Sequence, residues 1–582
     1  MKSRIWNLIG LLSLTIGNHL MAQHAGVDQQ VYNNFNTNSH QAVLIILENN
    51  TDLSQASLFN QKVDKGTYVY ETLLQEALES QKEILEYLNN KQIAARSFFL
   101  ANAILTNITA PMLQDLIAMP EVKRIQIDEW TTNELPKDQS ANEANNRTID
   151  AIEWGLSMIR ADEVWDLGYT GNDVVIGGQD TGVEWFHPAI KSQYRGWDGS
   201  SEDHNYNWHD AIHEIDPGNS GTNPCGLDNV APCDDHNHGT HTVGTMVGVD
   251  NDIQIGVAPE ASWIGCRNME RGAGRPSTYL ECFEWFLAPT DSNNENPDVS
   301  KAPHVINNSW GCPESEGCNP TNFLILETAI NNLKAAGVVV VASAGNSGSE
   351  CSTISNPPAI YENSFAVGAT NENDNITGFS SRGPVTVDNS NRLKPNVSAP
   401  GRNVNSCIRD GGYASYSGTS MAGPHVAGAV ALIISARPAL AGQVDLIEDI
   451  LEQTAINKTT DQECGDVSGL SIPNNTYGFG RIDVMEAVDM ALNIDITNTR
   501  NVSKKDIEVY PNPTQGRLYF KIGIELEDAE LRILSLNGTV LVRETLNGNM
   551  HSVDLGEFPT GLFIYQVQSE QVVLSGRVVV NN

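Results

Sequence analysis

The stretch Asp234–His241, "DDHNHGTH", gathers three histidines and two aspartates in eight residues. That composition fits a metal site, a proton-transfer site or a polar loop. A zinc site needs three or four ligands held in fixed geometry; a proton shuttle needs only one imidazole, which titrates near neutrality. Two other segments supply partners for the second chemistry. "GGQDTGVEWFHP" sets Asp180 just after a run that reads as a buried strand, and "YSGTSMAGPHVAGAVAL" sets Ser420 at the start of a helix rich in small residues. A serine hydroxyl is a poor nucleophile unless a base takes its proton during attack. A carboxylate behind that base fixes its tautomer and stabilises the imidazolium.

In the order Asp, His, Ser, these motifs resemble the subtilisin-like serine proteases (the subtilase family) across about Trp154 to Ala491. "WGLSMIRADEVWDLGYTG", "HNYNWHDAI", "FLAPTD" and "INNSWGC" are similar to the bacillopeptidase F-like branch. The resemblance implies a secreted serine endopeptidase with Asp180, His238 and Ser420 as its triad. It also implies that Asn346, in "VVVVASAGNSG", joins the Ser420 N–H in an oxyanion hole. Substrate contacts carried over are Ser309, Trp310 and Gly311 of "INNSWG", lining S1 and S4, and Ser343, Ala344 and Gly345 as the other pocket wall. Asn356, placed by the following Pro358-Ala359, falls near the floor. His241 reads as structural, and a metal on His238 is disfavoured because it would occupy the lone pair that Ser420 needs. No cofactor is required for catalysis. The segment between Asp180 and His238 is rich in Asp, Asn and Gly, so a structural calcium ion is a candidate there, but without EF-hand spacing a solvated loop is the favoured reading. Gly177-Gly178-Gln179 departs from the family's more apolar strand end. Pro424 is expected in the first turn of the serine helix, where no intrahelical N–H is needed. The rival from another class is an inert subtilase-fold adhesin or binding scaffold, which a lost triad or oxyanion residue would favour; none is lost. An esterase would place its serine in a GxSxG elbow after a strand, unlike "GTSMA".

These side chains need a frame. Over residues 149–493 apolar runs alternate with helical patterns: "DVVIGG", "HVINNSW", "GVVVVASAG" and "SFAVGAT" as strands, Leu324–Ala336 and Met421–Ala436 as helices. The expected fold is α/β, a mainly parallel sheet with helices on both faces and the site at the strands' carboxyl ends. Residues 23–148 hold, over about Gln41–Asp128, a βαββαβ order, a ferredoxin-like α+β unit, and then the polar "TTNELPKDQSANEANNRT" (Thr131–Thr148), read as an exposed, cleavable linker. This unit resembles the subtilase pro-segment, which implies a zymogen inhibited in cis. After a linker at 494–506, residues 507–582 switch to short strands and turns, a β-sandwich. "VYPNPTQG", "ILSLNG" and "DLGEFPTGLFIYQV" resemble the type IX secretion sorting domain, implying that secretion machinery is a partner; the rival is an Ig-like binding module.

Residues 1–22 read as a signal peptide: Lys2 and Arg4 before the apolar run Ile5–Ile16, then Leu20-Met21-Ala22. The expected route is through the periplasm to the cell surface or medium. No later apolar run is read as long enough to cross a membrane. With 35 basic against 72 acidic residues the net charge is −37, which disfavours nucleic acid and anionic membranes and leaves protein or peptide substrates. Nine cysteines lie in the middle of the chain, and export makes disulfides expected. Cys225 with Cys233 and Cys312 with Cys318 are close enough to staple loops, connectivity is not readable from sequence, and the odd total leaves at least one thiol unpaired if all bridges are intramolecular.

Overall fold

The computed structural model describes residues 26–48, 51–132, 152–251, 253–311, 324–494, 507–514, 516–522, 529–535, 540–546, 550–556, 558–568 and 573–581. The expected signal peptide and the Cys312–Cys318 pair lie outside them. Seven parallel strands form the central sheet, in the spatial order Val397–Pro400, Phe365–Thr370, Val339–Ser343, Val305–Asn308, Val175–Asp180, Ser262–Arg267, Trp208–Asp210. The first of these in sequence, Val175–Asp180, lies in the interior of the sheet. Later strands add first on one side of it and then on the other. The order therefore reverses between Val175–Asp180 and Val305–Asn308, and a crevice at such a switch point is where open α/β sheets place their sites.

Strand periodicity sorts side chains to two cores. Val305, Val339 and Val341 face one core with the helices His238–Val247 and Thr419–Ala436, while Ile306 and Val340 face the other with Pro276–Leu287 and Leu324–Ala335. The glycine pair that departs from the family pattern has a packing reason. A Cβ on Gly177 would meet the Phe286 ring at 2.8 Å, and one on Gly178 would meet Val243 at 3.2 Å. Helices on opposite faces thus approach the aspartate strand closely only because both positions lack side chains. The serine helix, Thr419–Ala436, is long and apolar enough to cross a membrane by composition, which corrects the expectation for later segments. Its 89% burial marks it as the central core helix.

Residues 26–127 form their own sheet, in the order Gly26–Val27, Val122–Ile127, Gln41–Leu47, Ala103–Ile108, Ala95–Phe98. The last four strands are antiparallel throughout, the ferredoxin-like arrangement. Leu44, Val69, Leu73, Phe98 and Leu100 of this unit share a core with Tyr279, Phe283 and Ile330 of the larger domain. Polar ties reinforce the contact. Ser277 donates through its N–H (2.9 Å) and Oγ (2.6 Å) to Asp128, so a carboxylate of the N-terminal unit caps a helix of the larger domain. One expectation is corrected here. Thr131–Thr132, read as linker, pairs antiparallel with Ala273–Gly274, and Thr131 is buried with its hydroxyl on the Gly274 carbonyl. An unpaired backbone edge was available, and extended residues satisfied it. Residues 133–151 lie outside the described set.

The C-terminal residues form two antiparallel sheets, of three and four strands, around Leu518, Phe520, Leu531, Ile533, Val567 and Val578. Cys225–Cys233 is a disulfide, as the spacing suggested, and Cys266–Cys282 and Cys351–Cys464 are two more. Cys407 is the free thiol among the described residues, and burial holds it well above the usual thiol range.

Candidate active site

Asp180 ends its strand, and His238 opens the helix packed beside it. His238 Nδ1 lies 2.8 and 2.9 Å from the two Asp180 carboxylate oxygens, with both side chains buried. A carboxylate accepts, so Nδ1 carries a hydrogen, and in the neutral ring Nε2 is then the nitrogen with the lone pair. Nε2 is buried without a hydrogen-bond partner. Register brings the serine to the same edge. Asn308 pairs with Gln179, so Ser309 emerges beside Asp180, and Ser420 Oγ donates to the Ser309 carbonyl at 3.2 Å.

The serine helix starts at Thr419, which places Pro424 in its second turn rather than its first. Pro424 cannot donate to the carbonyl four residues back, that of Ser420. Ser309 Oγ supplies the missing donor at 2.9 Å, and Asn307 Nδ2 donates to Ser309 Oγ at 2.9 Å. The proline thus frees the nucleophile's own carbonyl for a cross-strand anchor.

Asn346 is fixed by the same helix end. The Thr419 N–H and hydroxyl donate to its Oδ1 at 2.9 and 3.0 Å. A backbone N–H can only donate, so the bonded atom is the amide oxygen and Nδ2 is the free end. Gly345, at φ +102°, turns the chain between strand and asparagine, and its N–H reaches Thr419 Oγ1 at 3.2 Å.

The residues expected to bind substrate divide into two groups. Gly311 faces Asn356, whose Cβ would be 3.9 Å from a Cβ on the glycine. Ser343 and Ala344 are buried at the end of their strand, next to Gly345. Trp310 does not present an open face: its ring stacks on Tyr279 at 3.9 Å and is 3% exposed. His241 is structural in its contacts. Nε2 meets the carbonyls of Val404 and Ala414, the ring stacks on Tyr416, and burial, with His238 nearby, holds its pKa down to about 3.

Several groups here escaped the sequence reading. Asp234, Thr181 and Thr240 form a polar hub between Asp180 and His238. Asp235 faces the buried Arg267, which also pairs with Asp210, and burial leaves the Asp235 carboxyl well above the usual range despite the guanidinium. The doubled aspartate was a visible signal, but reading it as a ligand set or loop hid the division of labour. In the calcium candidate segment Asp198, Asp203 and Asp216 each accept from N–H groups of their own turns.

A buried acid–imidazole pair, with a serine at a helix N-terminus on the carboxyl edge of a parallel sheet, is the equipment of a serine hydrolase of the α/β class. Residues 171–480 match the family model described as the Subtilase family, and residues 508–581 match the Secretion system C-terminal sorting domain. Bacillopeptidase F of Bacillus subtilis (strain 168) is 35% identical over 442 residues, covering 73% of this chain and 28% of that protein. Subtilisin E of the same organism is 34% identical over 337 residues, covering 56% of this chain and 74% of that protein. Subtilisin Savinase of Lederbergia lenta is 34% identical over 290 residues, covering 50% and 86%. The chain belongs to the subtilase family of subtilisin-like serine peptidases. Its C-terminal sorting domain makes it a secreted or cell-surface protein.

Proposed function

We propose that the chain is a serine endopeptidase, made as a zymogen and sorted for export by its C-terminal domain. The observation that carries this reading is the His238 imidazole: one nitrogen is held by Asp180 and the other is left open. Ser420 supplies the nucleophile. Its hydroxyl turns from the Ser309 carbonyl to His238 Nε2 when a peptide carbonyl arrives, a bond that commonly tightens only in the substrate complex. His238 accepts the proton, Ser420 Oγ bonds to the carbonyl carbon, and Asn346 Nδ2 with the Ser420 N–H receives the oxyanion. His238 then returns the proton to the leaving amine, and water repeats the sequence on the acyl-enzyme.

Residues 26–132 act as the intramolecular inhibitor. The antiparallel pairing of Thr131–Thr132 with Ala273–Gly274 supports this, because an extended polypeptide substrate adds to a strand edge in the same way. The substrates are protein or peptide chains, and the secretion machinery reads the tail. Ser420→Ala tests the reading: casein hydrolysis should vanish and the full-length chain should persist uncut in a protease-free host. Retained self-cleavage would overturn Ser420 as nucleophile and favour an inert scaffold.

A further inference from the structure

We propose that Asp234 is a positioning residue that sets the Asp180–His238 pair from both of its ends; this rests on the catalytic reading above. Asp234 is buried, 3% exposed, and its carboxylate collects five donors. Oδ1 accepts from Thr181 Oγ1 at 2.8 Å and from the N–H groups of His236 and Asn237 at 2.9 and 3.1 Å. Oδ2 accepts from the Thr240 N–H at 2.9 Å and its hydroxyl at 2.6 Å. Thr181 closes the circuit. Its N–H donates to Asp180 Oδ1 at 2.8 Å, and its hydroxyl, besides donating to Asp234, accepts the Gly239 N–H at 3.0 Å. Every residue from 236 to 240 except His238 itself is therefore held by Asp234 or by the threonine that Asp234 orients. That same threonine holds the triad acid.

Two features show that the circuit maintains a geometry the backbone would not adopt unaided. Asn237, immediately before His238, sits at φ +139°, a conformation that favours glycine, and its N–H is one of the five donors. Asn237 is also the N-cap of the histidine helix, yet its side chain makes no cap bond. Asp234 supplies that cap from outside the helix, through the Thr240 N–H. The neighbouring Asp235 has a different role, because it faces Arg267 at 3.5 Å. Only a carboxylate can take donors on both oxygens at once. An amide at position 234 would turn an NH2 toward Thr181 or Thr240, each of which already donates there.

The test compares Asp234→Asn, Thr181→Val and Thr181→Ser in the full-length chain, with kinetics normalised to the fraction of molecules that give an acyl-enzyme burst. Asp234→Asn should lower kcat by about 10- to 100-fold with KM within about twofold, the range expected when a catalytic group is misplaced by about an ångström. Thr181→Val, which removes only the hydroxyl, should reproduce most of that loss, whereas Thr181→Ser should lose less than about threefold. The double variant Asp234→Asn/Thr181→Val should be no worse than the weaker single, as expected of two parts of one circuit. A lowered melting temperature with unchanged kcat in both Asp234→Asn and Thr181→Val would overturn the proposal, and so would multiplicative losses in the double variant. If Asp234→Asn does not fold, the contrast between the two Thr181 variants still decides. Inactive Ser420→Ala with fully active Asp234→Asn refutes this inference alone; active Ser420→Ala refutes the catalytic reading beneath it.

Discussion

Among the described residues, the buried carboxylates of Asp180 and Glu281 hold histidines to opposite effect. Asp180 holds one imidazole by Nδ1 and leaves Nε2 open. Glu281, at the seam between the N-terminal unit and the larger domain, accepts from His209 Nε2 at 2.7 Å and His213 Nε2 at 2.9 Å, and pairs with Arg96 of the N-terminal unit at 2.6 Å. His213 Nδ1 is taken by Asp228. Burial pushes the Glu281 carboxyl up, but Arg96 and the two histidines outweigh it and hold the group well below the usual range. Burial likewise pulls His213 down, yet its bonds to Glu281 and Asp228 raise it to about 9. An imidazole saturated by carboxylates on both nitrogens keeps its proton and acts as a fastener. One with a single carboxylate and an open nitrogen can exchange its proton with a substrate.

The comparison breaks most severely at Asp180. Asp180→Asn keeps the shape, but its NH2 donates to Nδ1 and so favours the wrong imidazole tautomer, and kcat on a chromogenic peptide should fall by about 10⁴-fold. Asn346→Ala should lower kcat by about 10²- to 10³-fold with KM nearly unchanged, because its bond forms to the oxyanion and not to the ground state. At the fastener, Arg96→Ala should loosen the cleaved N-terminal unit from the mature enzyme by about tenfold, roughly 1.4 kcal/mol, read by gel filtration of the processed complex. The effect is modest because Arg96 is 38% exposed and water screens it.

Glu284 gives the smallest and most pH-specific effect. It is buried in the same seam, accepts the Leu100 N–H at 2.9 Å, and burial raises its pKa from 4.5 to about 7. A raised carboxyl pKa means that the folded form holds the proton more tightly than the unfolded chain. Its contribution is therefore favourable below 4.5 and is lost as pH rises to about 7. Glu284→Gln in the uncut Ser420→Ala background should raise the melting temperature at pH 8 by a few degrees and leave it unchanged at pH 4. An equal shift at both pH values would mean that the group does not titrate in this window.

That Asp180, His238 and Ser420 come to one edge of the sheet was legible because each sits in a short motif whose neighbours announce the local fold: a strand end at Asp180, a small-residue helix at His238 and another at Ser420. The ferredoxin-like unit was legible from strand and helix periodicity. What escaped was non-local. Arg96 lies 117 residues from His213, and nothing in either neighbourhood names the other. The short strand Trp208–Asp210 is too brief for a periodic signal and exists because Ser262–Arg267 offers it an edge. Thr131–Thr132 looks like linker by composition, and only the facing Ala273–Gly274 makes it a strand. Pro424 was misplaced by one turn because helix boundaries depend on caps, here Gly418, rather than on the apolar pattern.

The central claim is that an open imidazole nitrogen, backed by Asp180, activates one serine among the many in this chain. Treatment of the matured protein with a fluorophosphonate, followed by peptide mass mapping, tests it most directly. A single stoichiometric adduct on Ser420, with loss of activity in proportion and no adduct in His238→Ala, is the predicted result. Inactivation with the adduct on another residue, or equal labelling of Ser420 in His238→Ala, would contradict it.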